Sequence, residues 1–514
     1  MDRAALSVYC RSHRAVRPTH EGNGGAVGAD TVTRTVWLAD AFTPPDRRAE
    51  QLPPRNPPAP DAVLPDSLTI SHARSLRGLP LGMLTTPAGR GRTAVHLDSE
   101  EIRVLLGTLR ASSAAASARV ADNARTYLMH RTGRWSPQHP KHVVTALHRI
   151  LTRSRFLKGS RSCFPLRTAM AQIMPFVEAW QPVTILASGF PFKQHDNGLK
   201  TAGPWPDLAE LGALLRLSEL QRAFAALYPP GLQVVVLNDG GYSRPRASAE
   251  MLRYRRQLQR YAQMVGLGNS AVFHDQSCFV AGLLGPHGWD QRERYRHRFG
   301  EVIALLAATP CGLECARGAD QRLAEALPAD LLAGVPSFRD ILSSLVYSVP
   351  VPVPPRTDPR RWACQVLAQP DEYGDPALSP ELASARRRVL ASAWRDTVNY
   401  LAASLADVAS GVAQRYPPHV RLATVASRPG CSGFSYLGGS ALLPWHGTGC
   451  LDGRGLLCAE FLVSLEHRGF LPVYSDGICP EQPLLLVPSA RTVRSAGGRR
   501  VDPDLLASAR LRPR

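Results

Sequence analysis

VTILASGFPFKQHDNGLKTAGPWPDLAELGALLRLSELQRAFAALYPPGLQVVVLNDGG, residues 183–241, decides the fold. VTILA (183–187) is a short apolar run with β-branched residues, the composition of a buried strand. The loop SGFPFKQHDNGLKTAGPWP (188–206) follows it. A helix is predicted from about Leu208 to Leu227, with Leu220, Phe224 and Leu227 spaced along one face. Asp207 is placed to cap that helix, and Glu210, three residues on, to complete a capping box. YPPG (228–231) stops the helix, LQVVVL (232–237) is a second buried strand, and NDGGYSRP (238–245) is a second loop. Strand, helix and strand in that order give two parallel strands joined by a right-handed crossover. Both strands then end at one edge of the sheet, where open α/β sheets bind ligands. The expected fold class is α/β: a Rossmann-like, mainly parallel sheet flanked by helices, in about residues 140–310. An α/β C-terminal region packs on it, and the tails are expected to be disordered.

Outward from this unit, a helical pattern begins near Asp98, with Ile102, Leu105, Leu106 and Leu109 on one face. Residues 142–180 again read as helix, with Val143, Leu147 and Leu151 in register. TPPDRRAEQLPPRNPPAP (43–60) has no helical or strand period and reads as an extended linker. The expected organisation is a Pro/Arg-rich extension (1–95), a helical lead-in and catalytic core (96–345) and a Pro-rich linker (346–360). A C-terminal α/β region completing the site (361–490) and a basic tail (491–514) follow. There is no internal repeat.

The chain has 514 residues, 44% of them apolar and 20% charged, enough to bury a large core. No stretch approaches the ~18 apolar residues that cross a bilayer, and the first twenty residues hold no signal-peptide core. A cytoplasmic protein is expected. The ten cysteines are scattered. Only Cys311 and Cys315 are close, and no second pair or nearby histidines complete a zinc site, so buried thiols are expected and no metal. The net charge of +19 invites a nucleic-acid partner. Its concentration in the tails argues against one, and Arg253, Arg255, Arg256 and Arg260 read as a solvated helix face.

Only four lysines occur: Lys141, Lys158, Lys193 and Lys200. Two of them share the first loop with His195, Asp196 and Asn197, just ahead of Asp207 and Glu210. The second loop adds Asn238, Asp239, Tyr242 and Arg244. Cations beside carboxylates at a strand edge can hold a phosphorylated substrate and move protons. The bland alternatives are a helix cap for Asp207 and Glu210, a turn for Asp239-Gly240 and a solvated His195. Neither loop is a GxGxxG or Walker A loop, so no dinucleotide or nucleoside triphosphate site is supported.

These residues also resemble the signature of the pyoverdine/dityrosine biosynthesis family, whose bacterial members are isonitrile (isocyanide) synthases. The match runs through Phe190, Pro191, Lys193, Lys200, Gly203, Pro206, Asp207, Glu210, Tyr228, Gly231, Asp239 and Gly240. HVRLATVASRPG (419–430) and LLPWHGTG (442–449) resemble later family segments, although Ala423 and Val425 replace a usual Ser and His. The resemblance implies an isonitrile synthase of secondary metabolism. An aromatic amino acid, tyrosine or tryptophan, would condense with ribulose 5-phosphate without a cofactor or metal. The imine then loses phosphate and the remaining sugar carbons, leaving one carbon on nitrogen. The nearest alternative is an N-formyl- or N-acyl-tyrosine-forming enzyme of the dityrosine type. A non-haem iron oxygenase acting downstream is a partner the resemblance leaves open. One of Lys193 and Lys200 is expected at the sugar phosphate and the other at the imine-forming centre. Asp207, Glu210 and Asp239 are expected to hold the amine or carry protons. His446 is expected as a further acid/base. Arg421 is the candidate for the substrate carboxylate, with Phe190 and Arg244 also binding substrate.

Overall fold

Val183–Ser188 (β2) and Leu232–Asn238 (β3) pair in parallel, in register from Val183↔Leu232 to Ser188↔Leu237. This is the pairing expected of the strand–helix–strand unit, and the connecting helix is Leu208–Ala225. The computed structural model describes residues 95–97, 99–193, 197–238, 242, 248–307, 313–332, 335–346, 348–367, 379–424, 431–437, 442–451, 457–475 and 478–488. The expected tails, His195, Asp196, Asp239, Arg244, Cys311 and Val425 lie outside these described residues.

In chain order come Val95–Leu97 (β1), Ser99–Thr132 (α1), Pro140–Leu151 (α2), Leu166–Glu178 (α3), β2, Leu208–Ala225 (α4) and β3. Ser248–Met264 (α5), Ala271–Asp275 (β4) and Gln276–Ala307 (α6) follow, and after several shorter helices comes Pro380–Ala409 (α7). The remaining strands are Val420–Ala423 (β5), Cys431–Gly433 (β6), Thr448–Leu451 (β7), Leu457–Glu460 (β8), Phe470–Ser475 (β9) and Leu485–Pro488 (β10).

The first sheet has the order β4-β3-β2-β5-β6, and all its pairs are parallel. The chain winds outward from β2 through β3 to β4, then returns to lay β5 on the other side of β2. The winding reverses between β2 and β5, which is where such sheets open a ligand crevice. The second sheet, β1-β9-β10-β7-β8, mixes parallel and antiparallel pairs. The α/β fold is therefore as expected, with β5 and β6 of the C-terminal region completing the first sheet rather than only packing on it.

Helix α4 is buried almost all round, from Leu208 to Leu220. It contacts α1 and β3 as well as β7 and β8, so both sheets share it. Its buried charges are paired: Glu219 accepts from Arg155 Nη2 at 2.8 Å and lies 3.4 Å from Arg216. Residues 142–180 differ from expectation. They are two helices, α2 and α3: α2 ends at Leu151 with Thr152 as its C-cap, Gly159 turns the connection at φ +95°, and Pro165 precedes α3. The break buries Phe156 and Phe164 and carries Lys158 between them.

The Pro-rich stretch after residue 346 is packed: Ser348 and Val349 are fully buried. Cys364, Cys431, Cys450, Cys458 and Cys479 are buried free thiols, whereas Cys315 is disulfide-bonded. No helix among the described residues is long and apolar enough to cross a membrane.

Candidate active site

The turn after β2 sets the site. Gly189 has φ +140°, and a Cβ there would lie 2.8 Å from Trp445 Cζ2, so only glycine lets the indole close over the strand end. Phe190 follows in the left-handed region at φ 53°, a strained conformation for a bulky residue. Its ring lies 4.8 Å from Trp445 and 5.7 Å from Tyr436. The Asn238 side chain at the end of β3 donates to the Phe190 carbonyl and holds this turn. Beyond it, the loop is stitched to the C-terminal region. Ala202 N–H donates to Thr448 Oγ1 at 2.9 Å, and Trp205 N–H to Gln482 Oε1 at 2.9 Å.

Lys193, Asp207 and Glu210 form one buried clamp. Lys193 Nζ lies 3.1 Å from Asp207 Oδ2 and 3.2 Å from Glu210 Oε2, and it donates to the carbonyls of Pro444 and Gly447 at 3.0 and 2.5 Å. The expected capping box is present, with Ala209 N–H donating to Asp207 Oδ1 at 2.8 Å and Asp207 N–H to Glu210 Oε2 at 3.0 Å. Gly449 N–H donates to Asp207 Oδ2 at 3.0 Å, and Tyr254 O–H to Glu210 Oε1 at 2.9 Å. A Cβ on Gly449 would lie 2.9 Å from Asp207 Oδ1, so this approach of β7 to α4 also needs a glycine. Burial alone would lower the Lys193 pKa, but the two carboxylates outweigh it and raise it. Burial pushes Glu210 upward, Lys193 opposes the shift and Asp207 adds to it. The lysine thus remains a cation and binds the capped end of α4 to the segment before β7.

His446 is the centre of a second group. Burial first, then the positive charges of Lys200, Lys158 and Lys193, hold its pKa down to about 3. The charges of three of the four lysines therefore act on one imidazole. Lys200 is buried and donates to Ser348 Oγ at 2.8 Å. Lys158 donates to the Thr424 carbonyl, just past β5, at 3.2 Å, and its own N–H bonds Gly433 at the end of β6 at 2.9 Å. Burial lowers its pKa to about 8, so much of its amine is neutral at slightly alkaline pH. Lys158 and His446 are only partly buried. Tyr436 adds a buried hydroxyl with no hydrogen-bond partner among the described residues, in an aromatic cluster with Phe190, Phe434 and Trp445.

Of the residues expected at the site, Lys193, Lys200, Asp207, Glu210, Phe190 and His446 gather between the carboxyl ends of the sheet and the start of β7. Arg421 is buried on β5, but its charge acts on Tyr416 and His419. Asp239 and Arg244 lie outside the described residues. Lys158 and Tyr436 are the residues that sequence reasoning missed. The scarcity of lysine was a usable signal for Lys158, while nothing in the sequence marked Tyr436.

Residues 173–289 match the model of the family described as pyoverdine/dityrosine biosynthesis protein, which bears out the resemblance over that stretch. Two curated relatives match. One is the isocyanide synthase–NRPS hybrid crmA of Aspergillus fumigatus, 35% identical over 91 residues, which is 18% of this chain and 6% of that protein. The other is L-tyrosine isonitrile synthase of Xenorhabdus nematophila, 34% identical over 71 residues, which is 14% of this chain and 21% of that protein. The matched stretches are thus well under two thirds of either relative. A solved structure, PvcA of Pseudomonas aeruginosa, superposes over 67% of this chain and 100% of its own, with 17% identity and a TM-score of 0.43.

Proposed function

We propose that the protein is an isonitrile synthase that condenses the amine of an aromatic amino acid with the ketone of ribulose 5-phosphate. The observation that carries this reading is that the charges of Lys200, Lys158 and Lys193 all act on His446. Lys193 is neutralised by its own carboxylates, so the anionic substrate is assigned to Lys158 and Lys200. A sugar phosphate suits such a place, because its charge reverses the mutual repulsion of the cations.

Imine formation needs a neutral substrate amine and protons moved from nitrogen to the departing water. Lys158, with a pKa of about 8, is suited to take the first proton. Lys200 holds the phosphate. His446, neutral at working pH, orients the sugar by hydrogen bonds and exchanges protons once the phosphate has offset the lysines. The Tyr436 hydroxyl takes a polar group of the substrate. The clamp of Lys193, Asp207 and Glu210 fixes the start of α4 against the Trp445–His446 segment, so its role is positioning.

The test is incubation with tyrosine or tryptophan plus ribulose 5-phosphate, read by product mass and the isonitrile infrared band. An isonitrile that depends on both substrates is expected. An N-formyl amino acid, or no consumption of ribulose 5-phosphate, would refute the proposal.

A further inference from the structure

A cavity of about 370 Å³ opens at the same sheet edge, and no lysine is among the described residues that line it. Its floor is the paired ends of β3 and β4, Asn238 and Asp275. Met251 and Arg255 of α5 form one wall and Trp289 of α6 the other. Helix α6 is broken at Gly285, φ 69°, just before Pro286, and residues from both sides of the break line the cavity.

The charges at the back of the cavity are matched among themselves. Arg292 Nε donates to Asp407 Oδ1 at 2.8 Å and its Nη1 to Glu293 Oε1 at 2.5 Å, while Tyr242 O–H donates to the other Asp407 oxygen. Arg296 lies 2.7 Å from Glu293 Oε2. Among the described residues, one cation and one anion are left over. Arg255 has no hydrogen bond or ion pair among the described residues. Asp275 accepts from Cys278 N–H at 3.1 Å through Oδ1, and its second oxygen has no partner among the described residues. Arg255 differs here from its neighbour Arg253, which stacks on Trp205 and pairs with Glu481.

Opposite charges held apart in one largely apolar cavity are the complement of a zwitterion. A phosphate site would instead carry an excess of cations, as the lysine centre does. The volume is that of a small-molecule pocket, and the apolar lining is aromatic and thioether. We propose that this cavity binds an aromatic α-amino acid, with its carboxylate on Arg255, its ammonium on Asp275 and its ring against Trp289 and Met251. The assignment stands on the cavity and does not require the reaction proposed above. The same chemistry fits a substrate or a second, regulatory molecule.

Calorimetric titration of the full chain with tyrosine, tryptophan and phenylalanine tests it, with inorganic phosphate as the contrasting probe. Saturable binding of the amino acids is expected, weakened about tenfold or more by Arg255→Gln and by Asp275→Asn. Asparagine caps helices as well as aspartate does, so Asp275→Asn keeps α6 anchored. Cys278 is exposed and lines the cavity, so bound amino acid should also slow its alkylation by iodoacetamide. No amino-acid binding, binding that survives both substitutions, or a Cys278 rate unchanged at saturation would overturn the assignment. Given binding that depends on Arg255, a KM for the amino acid raised by Arg255→Gln identifies a substrate, and an unchanged KM a regulator. If binding depends on Arg255 yet no isonitrile forms, the cavity assignment stands and the reaction fails.

Discussion

Replacing Lys193 with methionine keeps the length of the side chain and removes its charge. Lys193 and Glu210 are 0% exposed and Asp207 is 1% exposed, so the substitution leaves two carboxylates facing each other in the interior. Breaking a buried pair from one side costs about 3–5 kcal/mol. Asp207 keeps the N–H groups of Ala209 and Gly449, whereas Glu210 keeps Asp207 N–H and Tyr254 O–H. Glu210, already pushed upward by burial, is the carboxylate that will bind a proton when Lys193 is gone. The sign follows from that. A folded-state carboxyl raised above its unfolded value of 4.5 holds a proton the unfolded chain has lost. Stability of the variant is then fullest below that value and falls as pH rises toward the folded pKa. Urea unfolding, followed by far-UV circular dichroism across this range, should show a deficit of about 3–5 kcal/mol near neutral pH that narrows in acid. Adding Glu210→Gln should recover part of it. A deficit below about 1 kcal/mol that does not vary with pH, together with abolished turnover, would refute the clamp and make Lys193 a group that acts on substrate.

Lys158→Ala should lower kcat/KM by about a hundredfold or more and remove a rise through pH about 8 that the parent shows, as a pH–rate profile would reveal. His446 takes up its proton near 3 when folded and near 6.5 when unfolded, so the unfolded chain binds protons first in acid. Stability should therefore fall as pH drops from 6.5 toward 3, and His446→Gln should flatten that fall in urea midpoints measured across the window. Tyr436→Phe removes a buried hydroxyl without a partner among the described residues, so the melting temperature should hold or rise while turnover drops. Gly189→Ala sets a Cβ 2.8 Å from Trp445 Cζ2 at a φ that L-residues avoid, and should cost about 1–3 kcal/mol in unfolding free energy as well as turnover.

The strand–helix–strand unit was legible in the sequence because its signals are local. β-branched runs, one amphipathic period, a capping box and a Pro-Gly stop each act within a few residues, and a crossover has a single favoured hand. The same locality placed Lys193, Lys200, Asp207 and Glu210 near one sheet edge. Residues 142–180 show where local reading failed: α2 stops at Leu151, where no glycine or proline marks an end, and only Pro165 marks the start of α3.

The tertiary structure decided which charges meet. Lys193 reaches Asp207 and Glu210 through the capped end of α4, and it then bonds Pro444 and Gly447, some 250 residues away. Lys158 bonds the ends of β5 and β6 because those strands return to the first sheet beside β2, a long-range pairing that no local period encodes. Whether a lysine serves as scaffold or as proton carrier depends on burial and on the carboxylates within about 4 Å. Those distances exist only once both sheets have closed on α4. The sequence by itself determined the edge at which these charged groups gather, and packing determined the charge each group carries there.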